Sequence, residues 1–573
     1  MASNEKNNLK GGTIFYGIPS ENNVKRNIDK WINEAGEPDL FVEKDENLCI
    51  YKNKFLDKYD VVSFKEAMER FPNADVWVTW RKAEKTRKML SAVLPAEKLH
   101  FLEDRSADSA YHVIGTRLDT TGISNITPAF LSMIKLLDEK CKKLNYLLVM
   151  PVMPRLDQFA FTFQTGIASV SSALKASGRK LFNLNLDLNS SGNPYDLLKN
   201  EIIKHKIDVV MTGGVNSQFK SLKQILDTAK EADPNIITVV GGVIVTADPT
   251  AAMEAFENAD YGVIGEGEIT INALAYALET NNYMPDIDGV VFRRNDQWVA
   301  RVKYPSVPDL SILPYPDYAG FEYSQYLENA TGKDKRAFLT TSRSCIYRCT
   351  FCFSKHGKYR RLSIDDVFKL IDWVLSLYPS VRRLHLGDEI SFSEPEYAIE
   401  FSRRIKPYKL NWICTLRADR VTKEMLVAMK DSGCKGTLIG IESADNSILK
   451  SMRKGFTIEQ LEKGISIANE VGLRMVGFLL FGDLEETMDT ALCSINWYIK
   501  HKKNVSGLTM IRIDPGSRLY EIACERDLIS NRAEYIRNYK LSGSRLINLS
   551  KLTESEFIML PHLLKIMEAL QLQ

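Results

Sequence analysis

Along most of its length the chain alternates short apolar runs with stretches of helical periodicity, and this alternation constrains the fold more than any other feature. A strand followed by a helix that returns to lay the next strand alongside makes a parallel sheet covered on its faces, so the class is α/β. Three series stand apart. Between 13 and 105, GTIFYGI, DLFVEK, DVWVTW and KLHFLE are the strands of a small α/β unit. Between 146 and about 279, YLLVMPV, KLFNLNLDL, IDVVMTG, IITVVGG and YGVIG alternate with amphipathic helices. That is a doubly wound, Rossmann-like pattern, whose ligand sites lie at the carboxyl ends of the strands. From Ala337, six strand-helix pairs follow one another, with strands near FLTTSRS, RRLHLG, LNWICTLR, KGTLIGIE, LRMVGFLLF and GLTMIRI. Six units predict a partial, TIM-like (β/α)6 barrel with its reaction centre at the C-terminal strand ends.

The boundaries follow from the punctuation between the series. Residues 1–105 form the small α/β domain, whose first strand ends at Gly17 and Ser20 without a full glycine fingerprint, so its role is not readable. Residues 106–145 read as a helical connection and 146–285 as the doubly wound domain. Residues 286–330 hold a hairpin around Asn295 and Asp296 and the proline-rich linker VPDLSILPYPDYAGF. The barrel spans 331–530 and a helical region 531–573.

Composition narrows the function classes. In 573 residues, 75 Lys and Arg nearly balance 73 Asp and Glu, which gives no reason to expect a nucleic-acid or anionic-membrane surface. Apolar runs such as MVGFLLF fall far short of the roughly 20 residues that cross a bilayer. The polar start MASNEKNNLKGG has no apolar segment of a secretory signal, and nine mostly scattered cysteines suit a reducing compartment, so the cytosol is expected.

Three of those cysteines are not scattered. In SRSCIYRCTFCFSK, Cys345, Cys349 and Cys352 follow the first barrel strand, at the edge where such a scaffold places its chemistry. Thiolates are the usual ligands of iron-sulfur clusters, and three of them leave one iron of a 4Fe-4S cluster open to a substrate. A structural zinc ion is the competing reading, with His356 as a fourth ligand, and would belong to a non-catalytic scaffold. Tyr347, Arg348, Tyr359 and Arg360 beside the loop suit a pocket wall and solvated packing equally well.

The CxxxCxxC spacing, with aromatic Phe351 before the last cysteine, resembles the radical SAM superfamily. The resemblance covers about 330–530. It implies that the three thiolates hold a 4Fe-4S cluster, that its open iron binds S-adenosylmethionine, and that one-electron reduction, by a flavodoxin or ferredoxin, gives methionine and a 5'-deoxyadenosyl radical. Phe351 is then expected near the adenine. Gly387-Asp388-Glu389 matches an element that orients the methionine amine, with Asp388 where the family usually has glycine. Arg417 and Glu442, at the ends of the third and fourth strands, are expected at the polar ends of the cofactor. Lys454-Gly455 and the acids after Gly482 read as turns and caps.

The doubly wound domain and the linker together resemble the cobalamin-binding subclass of that superfamily, the class B methylase-like enzymes. There a DxHxxG loop gives a histidine to cobalt; here it runs from Asp187 to Gly192, with Asn189 in the histidine's place, and an amide is a poor ligand for cobalt. Two readings stay open: cobalamin without a lower protein ligand, or a retained fold that no longer binds it. If it binds, Thr212-Gly213-Gly214, Gly241-Gly242 and Gly265-Glu266-Gly267 are the expected contacts. The resemblance implies methylation of an unactivated carbon of a small-molecule or peptide substrate, with a radical cyclase, oxidase or rearrangement enzyme as the alternative. No side chain is singled out as an acid or a base.

Overall fold

The computed structural model describes residues 124–138, 141–153, 163–188, 193–301, 305–329, 335–353, 357–539 and 546–569, together with five strands before them. Those strands belong to a separate unit, Met1–Gly115. They are β1 (Thr13–Tyr16), β2 (Leu40–Glu43), β3 (Asp60–Ser63), β4 (Asp75–Val78) and β5 (Leu99–Phe101), parallel throughout in the order β3-β2-β1-β4-β5. The short β3 is a strand that the apolar pattern did not reveal. Gly17 and Ser20 lie outside the described residues.

The remainder, Thr116–Gln573, forms one compact unit. Its first sheet comprises β6 (Tyr146–Met150), β7 (Leu181–Asn185), β8 (Val209–Gly213), β9 (Ile237–Gly241) and β10 (Tyr261–Val263), extended by the hairpin β11 (Val290–Arg294) and β12 (Gln297–Ala300). Its order is β12-β11-β10-β9-β8-β6-β7, with β6 to β10 parallel and the hairpin antiparallel. The chain therefore changes direction between β6 and β8, and the crevice at the carboxyl ends of such a switch point is where doubly wound folds bind ligands. All five residues of β6 are buried, as expected of a central strand covered on both faces. Asn295 and Asp296 turn the hairpin with φ of 50° and 60°, the conformation that two-residue turns need and that these short polar side chains tolerate.

The expected helical connection at 106–145 is corrected in the part described. Only Pro128–Leu131 is helical among residues 124–138 and 141–145. The cause is competition for the backbone: Asn125 donates to the carbonyls of Ser311 and Leu313, and Thr127 to that of Ile312, so the segment runs along the linker. The linker is itself pinned. Asp317, fully buried, accepts hydrogen bonds from Ser171 (2.6 Å) and Asn183 (2.8 Å) and pairs with Lys175 at 2.7 Å.

The barrel sheet runs β13 (Arg336–Leu339), β16 (Arg383–Leu386), β17 (Asn411–Leu416), β18 (Cys434–Glu442), β19 (Met475–Phe481) and β20 (Val505–Met510), all parallel and adjacent in that order. Six such strands leave two edges. At β13 the carbonyls of Phe338 and Arg336 accept hydrogen bonds from the hydroxyls of Tyr318 and Tyr323. At β20 the N–H of Leu508 donates to Glu568 of the C-terminal helix Glu554–Ala569 at 2.7 Å, so each edge finds a partner. Leu384, Trp412, Cys414, Ile439, Leu479 and Phe481 are buried on the convex side. On the opposite face, register aligns Phe338, His385 and Ile413 in one row, and Leu438 and Phe478 remain 43% and 41% exposed.

Candidate functional site

A cavity of about 760 Å³ lies where the carboxyl ends of the two sheets face each other. One wall is made of Gly213, Gly214, Gly241, Gly242, Gly265 and Gly267, the other of Leu339, Ser344, Gly387, Glu389 and Thr415. A volume of this order suits a bulky organic ligand. The glycines do more than leave room. Gly242 holds φ 89°, and a Cβ there would sit 2.5 Å from the carbonyl oxygen of Gly214, so the two loops can touch only through glycine. Gly166, on the same wall, faces open space, since an added Cβ would meet nothing within 4 Å.

The barrel side of the site begins with the cysteine loop. After β13 the chain makes a two-residue strand, β14 (Ser342–Arg343), runs through the cysteines, and returns as β15 (Arg360–Arg361) in an antiparallel stem. Cys345, Cys349 and Cys352 are all free, and the Cys352 N–H donates to the carbonyl of Cys349 at 3.2 Å. Burial raises the Cys349 thiol, against the pull of Lys454 and Arg417. Cys352 reaches solvent as a residue, yet burial of its sulfur, then the charges of Cys349, Glu389, Cys345 and Asp514, push it up to about 12. Thiolate is the form that ligates metal, and bound iron supplies the positive charge that favours it against this burial. The donor set therefore fits an iron-sulfur cluster. Among the described residues no three His, Cys, Asp or Glu side chains converge on a single-ion site, and His356, the expected zinc partner, lies outside them.

The expected S-adenosylmethionine contacts divide. Phe351, half-buried, packs against the apolar cluster that includes Ile448, Met452 and Ile513. Gly387 and Glu389 line the cavity. Asp388 lies on the same wall, where the expected contact is through its backbone; its buried carboxylate accepts from the Thr341 N–H (2.7 Å), the Thr341 hydroxyl (2.7 Å) and the Ser342 N–H (2.8 Å), bracing the start of the cysteine loop. Burial pushes it up to about 6, against those three hydrogen bonds. Arg417, expected at a polar end of the cofactor, pairs with Asp419 in two-pronged geometry, with Nε to Oδ1 at 2.9 Å, and its guanidinium lies 3.6 Å from the ring centre of Tyr347 in the cysteine loop.

Glu442 stands at the end of β18 with φ 66° and pairs with Lys454 at 3.0 Å, both nearly buried. Lys454, read from sequence as part of a turn, also lies 6.0 Å from the ring centre of Phe351. A Cβ on Gly440 would come within 2.3 Å of the Glu442 carboxylate and 2.6 Å of the Lys454 ammonium, so that glycine makes the space in which the pair sits.

On the other wall, Thr212 lines the cavity while its hydroxyl donates to the carbonyl of Val149 within the sheet. Glu266 also lines the cavity, and its carboxylate is taken up by Arg360, Arg343 and the N–H of Val307, which leaves its backbone as the surface for a ligand. Burial alone would raise Glu266; those partners hold it below the usual carboxylate range. Asp187 accepts from the Met153 N–H at 3.1 Å, while Asn189 and Gly192 lie outside the described residues. The imidazole among the described lining residues, His385, belongs to the barrel. Sequence reasoning passed over Arg343 and His385, read Lys454 as part of a turn, and took Glu268 only as one of a run at a strand end; a cation two residues before the first cysteine, and the paired acids of Gly265–Glu268, were the available signals.

One acid at the rim carries a pH dependence. Glu486, 1% exposed, accepts from Thr490 (2.5 Å) and from the Gly482 N–H (3.3 Å), and burial pushes it up to about 7 against those bonds. A carboxyl with a higher pKa folded than unfolded stabilises the fold below its unfolded value, near 4, and loses that contribution as pH rises through about 7. The melting temperature is expected to fall between about pH 5 and pH 8 and Glu486→Gln to flatten that fall; unchanged slopes in calorimetry would assign it elsewhere.

Residues 161–275 match the B12 binding domain family and residues 339–492 the Radical SAM superfamily. An uncharacterized methyltransferase of Pyrococcus horikoshii is 27% identical over 333 residues, 57% of this chain and 72% of that protein. The anaerobic magnesium-protoporphyrin IX monomethyl ester cyclase of a Synechocystis strain is 28% identical over 238 residues; the match spans 39% of this chain and 46% of the cyclase. The structure of the radical S-adenosylmethionine methyltransferase TsrM from Kitasatospora setae, with cobalamin and a 4Fe-4S cluster bound, aligns with a TM-score of 0.55 at 18% identity, covering 67% of this chain and 75% of that one. The likeness is one of fold. Among the described residues no helix is long and apolar enough to cross a membrane.

Proposed function

We propose that this chain, which belongs to the radical SAM superfamily and carries a B12-binding domain ahead of its barrel, is a cobalamin-dependent radical enzyme that methylates an unactivated carbon. The observation that carries the reading is the single cavity shared by the carboxyl ends of both sheets. Cys345, Cys349 and Cys352 would hold the cluster; Phe351, Gly387, Glu389 and Glu442 would face S-adenosylmethionine, and Gly213, Gly214, Gly241, Gly242, Gly265 and Gly267 would face the corrin. When bound, the cluster supplies the electron that cleaves S-adenosylmethionine, and the cobalamin supplies a transferable methyl group.

The chain's own residues bind and orient. Arg417 stacks on Tyr347 and Asp388 grips Thr341 and Ser342, so the cysteine loop is held from two sides. Lys454 and Glu442 offer one charge of each sign, which suits the zwitterionic end of S-adenosylmethionine. Leu438, Phe478 and Ile413 present an apolar barrel wall, and this supports a substrate, small molecule or peptide side chain, whose reacting part is uncharged. The electron would come from a flavodoxin- or ferredoxin-like protein. Radical cyclisation, oxidation or rearrangement without methyl transfer is the second reading, favoured by the similarity to the cyclase.

Anaerobic reconstitution followed by incubation with S-adenosylmethionine and a reductant tests both readings. A brown protein with about four irons per chain that releases 5'-deoxyadenosine is expected. Added hydroxocobalamin and substrate should yield S-adenosylhomocysteine with a methylated product. Deoxyadenosine without S-adenosylhomocysteine would leave the second reading, and a colourless zinc protein would defeat both.

A further inference from the structure

The loop that carries the three cysteines leaves the barrel through a stem of two residue pairs, and the register of that stem sets Arg343 directly opposite Arg360. Two cations facing each other across an antiparallel ladder repel and, alone, would open it. Here each meets an acid from the other domain. Arg343 pairs with Glu268 at 2.6 Å and with Glu266 at 3.3 Å, and Arg360 pairs with Glu266 at 2.5 Å. The most exposed of these four side chains is 19% exposed, so water screens the cluster little.

Both acids lie in Gly265–Glu268, where the turn after β10 enters the helix Gly267–Glu279, and this segment is anchored on its own side. The Glu266 N–H donates to the Pro305 carbonyl at 3.0 Å, and the Gly265 N–H to the Thr246 hydroxyl at 2.9 Å. The same four residues line the cavity, as do Arg343 and Ser344 from the stem. Ser344, between Arg343 and the first cysteine, holds φ 68°, a conformation that a non-glycine residue keeps only where its surroundings enforce it.

We infer that Glu266 and Glu268 are positioning residues for the cysteine loop: they neutralise Arg343 and Arg360, keep the stem closed, and set the geometry of the thiolates from the B12-binding domain. The inference rests on the reading of this loop as cluster-bearing. A ligand resting on Gly265–Glu268 then alters the setting of the cluster, and cluster assembly, by reciprocity, stiffens the wall that this ligand meets.

The test uses the full chain, purified and reconstituted anaerobically with iron and sulfide, as wild type, as E266Q/E268Q, as E268Q, and as the charge swap E266R/R360E. Iron per chain is measured first. A wild type that takes up no iron removes the cluster reading, and hydrogen-deuterium exchange of peptides covering 342–361 then judges the clamp alone. In E266Q/E268Q, exchange in 342–361 is expected to quicken by about tenfold or more. The electron paramagnetic resonance signal of its reduced cluster should broaden and cease to respond to hydroxocobalamin. The swap should restore both readouts towards wild type, which a merely space-filling role for the acids would not predict. Wild-type exchange and spectrum in E266Q/E268Q, or a folded swap as loose as that variant, overturns the inference. Should E266Q/E268Q not fold, E268Q, which leaves Arg360 paired, is read by the same two measurements and decides in the same way.

Discussion

Cys345→Ala, Cys349→Ala and Cys352→Ala are each expected to reduce bound iron from about four per chain to well under one and to abolish release of 5'-deoxyadenosine, while the chain stays folded. The size of the effect follows from coordination. Each thiolate would hold its own iron, and a cluster stripped of one of three protein ligands would have too few bonds left to stay on the loop. The fold survives because the loop is held by other means: Arg417 against Tyr347, Asp388 against Thr341 and Ser342, and Thr350 N–H donating to the Met452 carbonyl at 3.1 Å. Cys493→Ala is the control, since this cysteine sits exposed on the helix Met488–Lys500, away from the loop. Metal analysis with the visible spectrum reads the outcome; iron retained in all three loop variants would sink the cluster assignment.

What the sequence disclosed and what it hid divide along a physical line. Strand and helix alternation was legible because burial imposes a period on neighbouring residues, as in β6 or the buried side of β17. The hairpin at Asn295 and Asp296 was legible because turn chemistry is local. The cysteine loop was legible because a cluster demands several ligands within a few residues. Interactions that join distant segments left no such trace. Glu266 lies 94 positions from Arg360 and Glu268 lies 75 from Arg343, so acids that hold the cysteine loop looked like ligand contacts on a glycine-rich rim. Asn125 reaches a carbonyl 188 positions away, which turned an apparent helical connection into a strap along the linker. Asp388 stood where a glycine was expected, and only the structure shows that its carboxylate grips Thr341 and Ser342.

Lys454 shows the same limit at short range, and it carries the second large prediction. A lysine before a glycine at the end of a short helix reads as a cap, but here it is 5% exposed and bonded to a glutamate at the end of a strand. Lys454→Met leaves Glu442 nearly buried without its cation, which costs roughly 3 kcal/mol of stability. It also removes a positive charge that acts on Cys349 and lies 6.0 Å from the Phe351 ring centre, where the carboxylate of S-adenosylmethionine is proposed to lie. The dissociation constant for S-adenosylmethionine, measured by calorimetry on the reconstituted protein, should rise by about 100-fold, and Lys454→Arg should lose much less because it keeps the charge. Stability and binding are separable in the double variant K454M/E442L. Replacing both ions with apolar groups removes the uncompensated charge and should recover most of the stability, while S-adenosylmethionine affinity stays low. If affinity returns together with stability, the pair is a structural brace and the polar end of S-adenosylmethionine must be held by other residues.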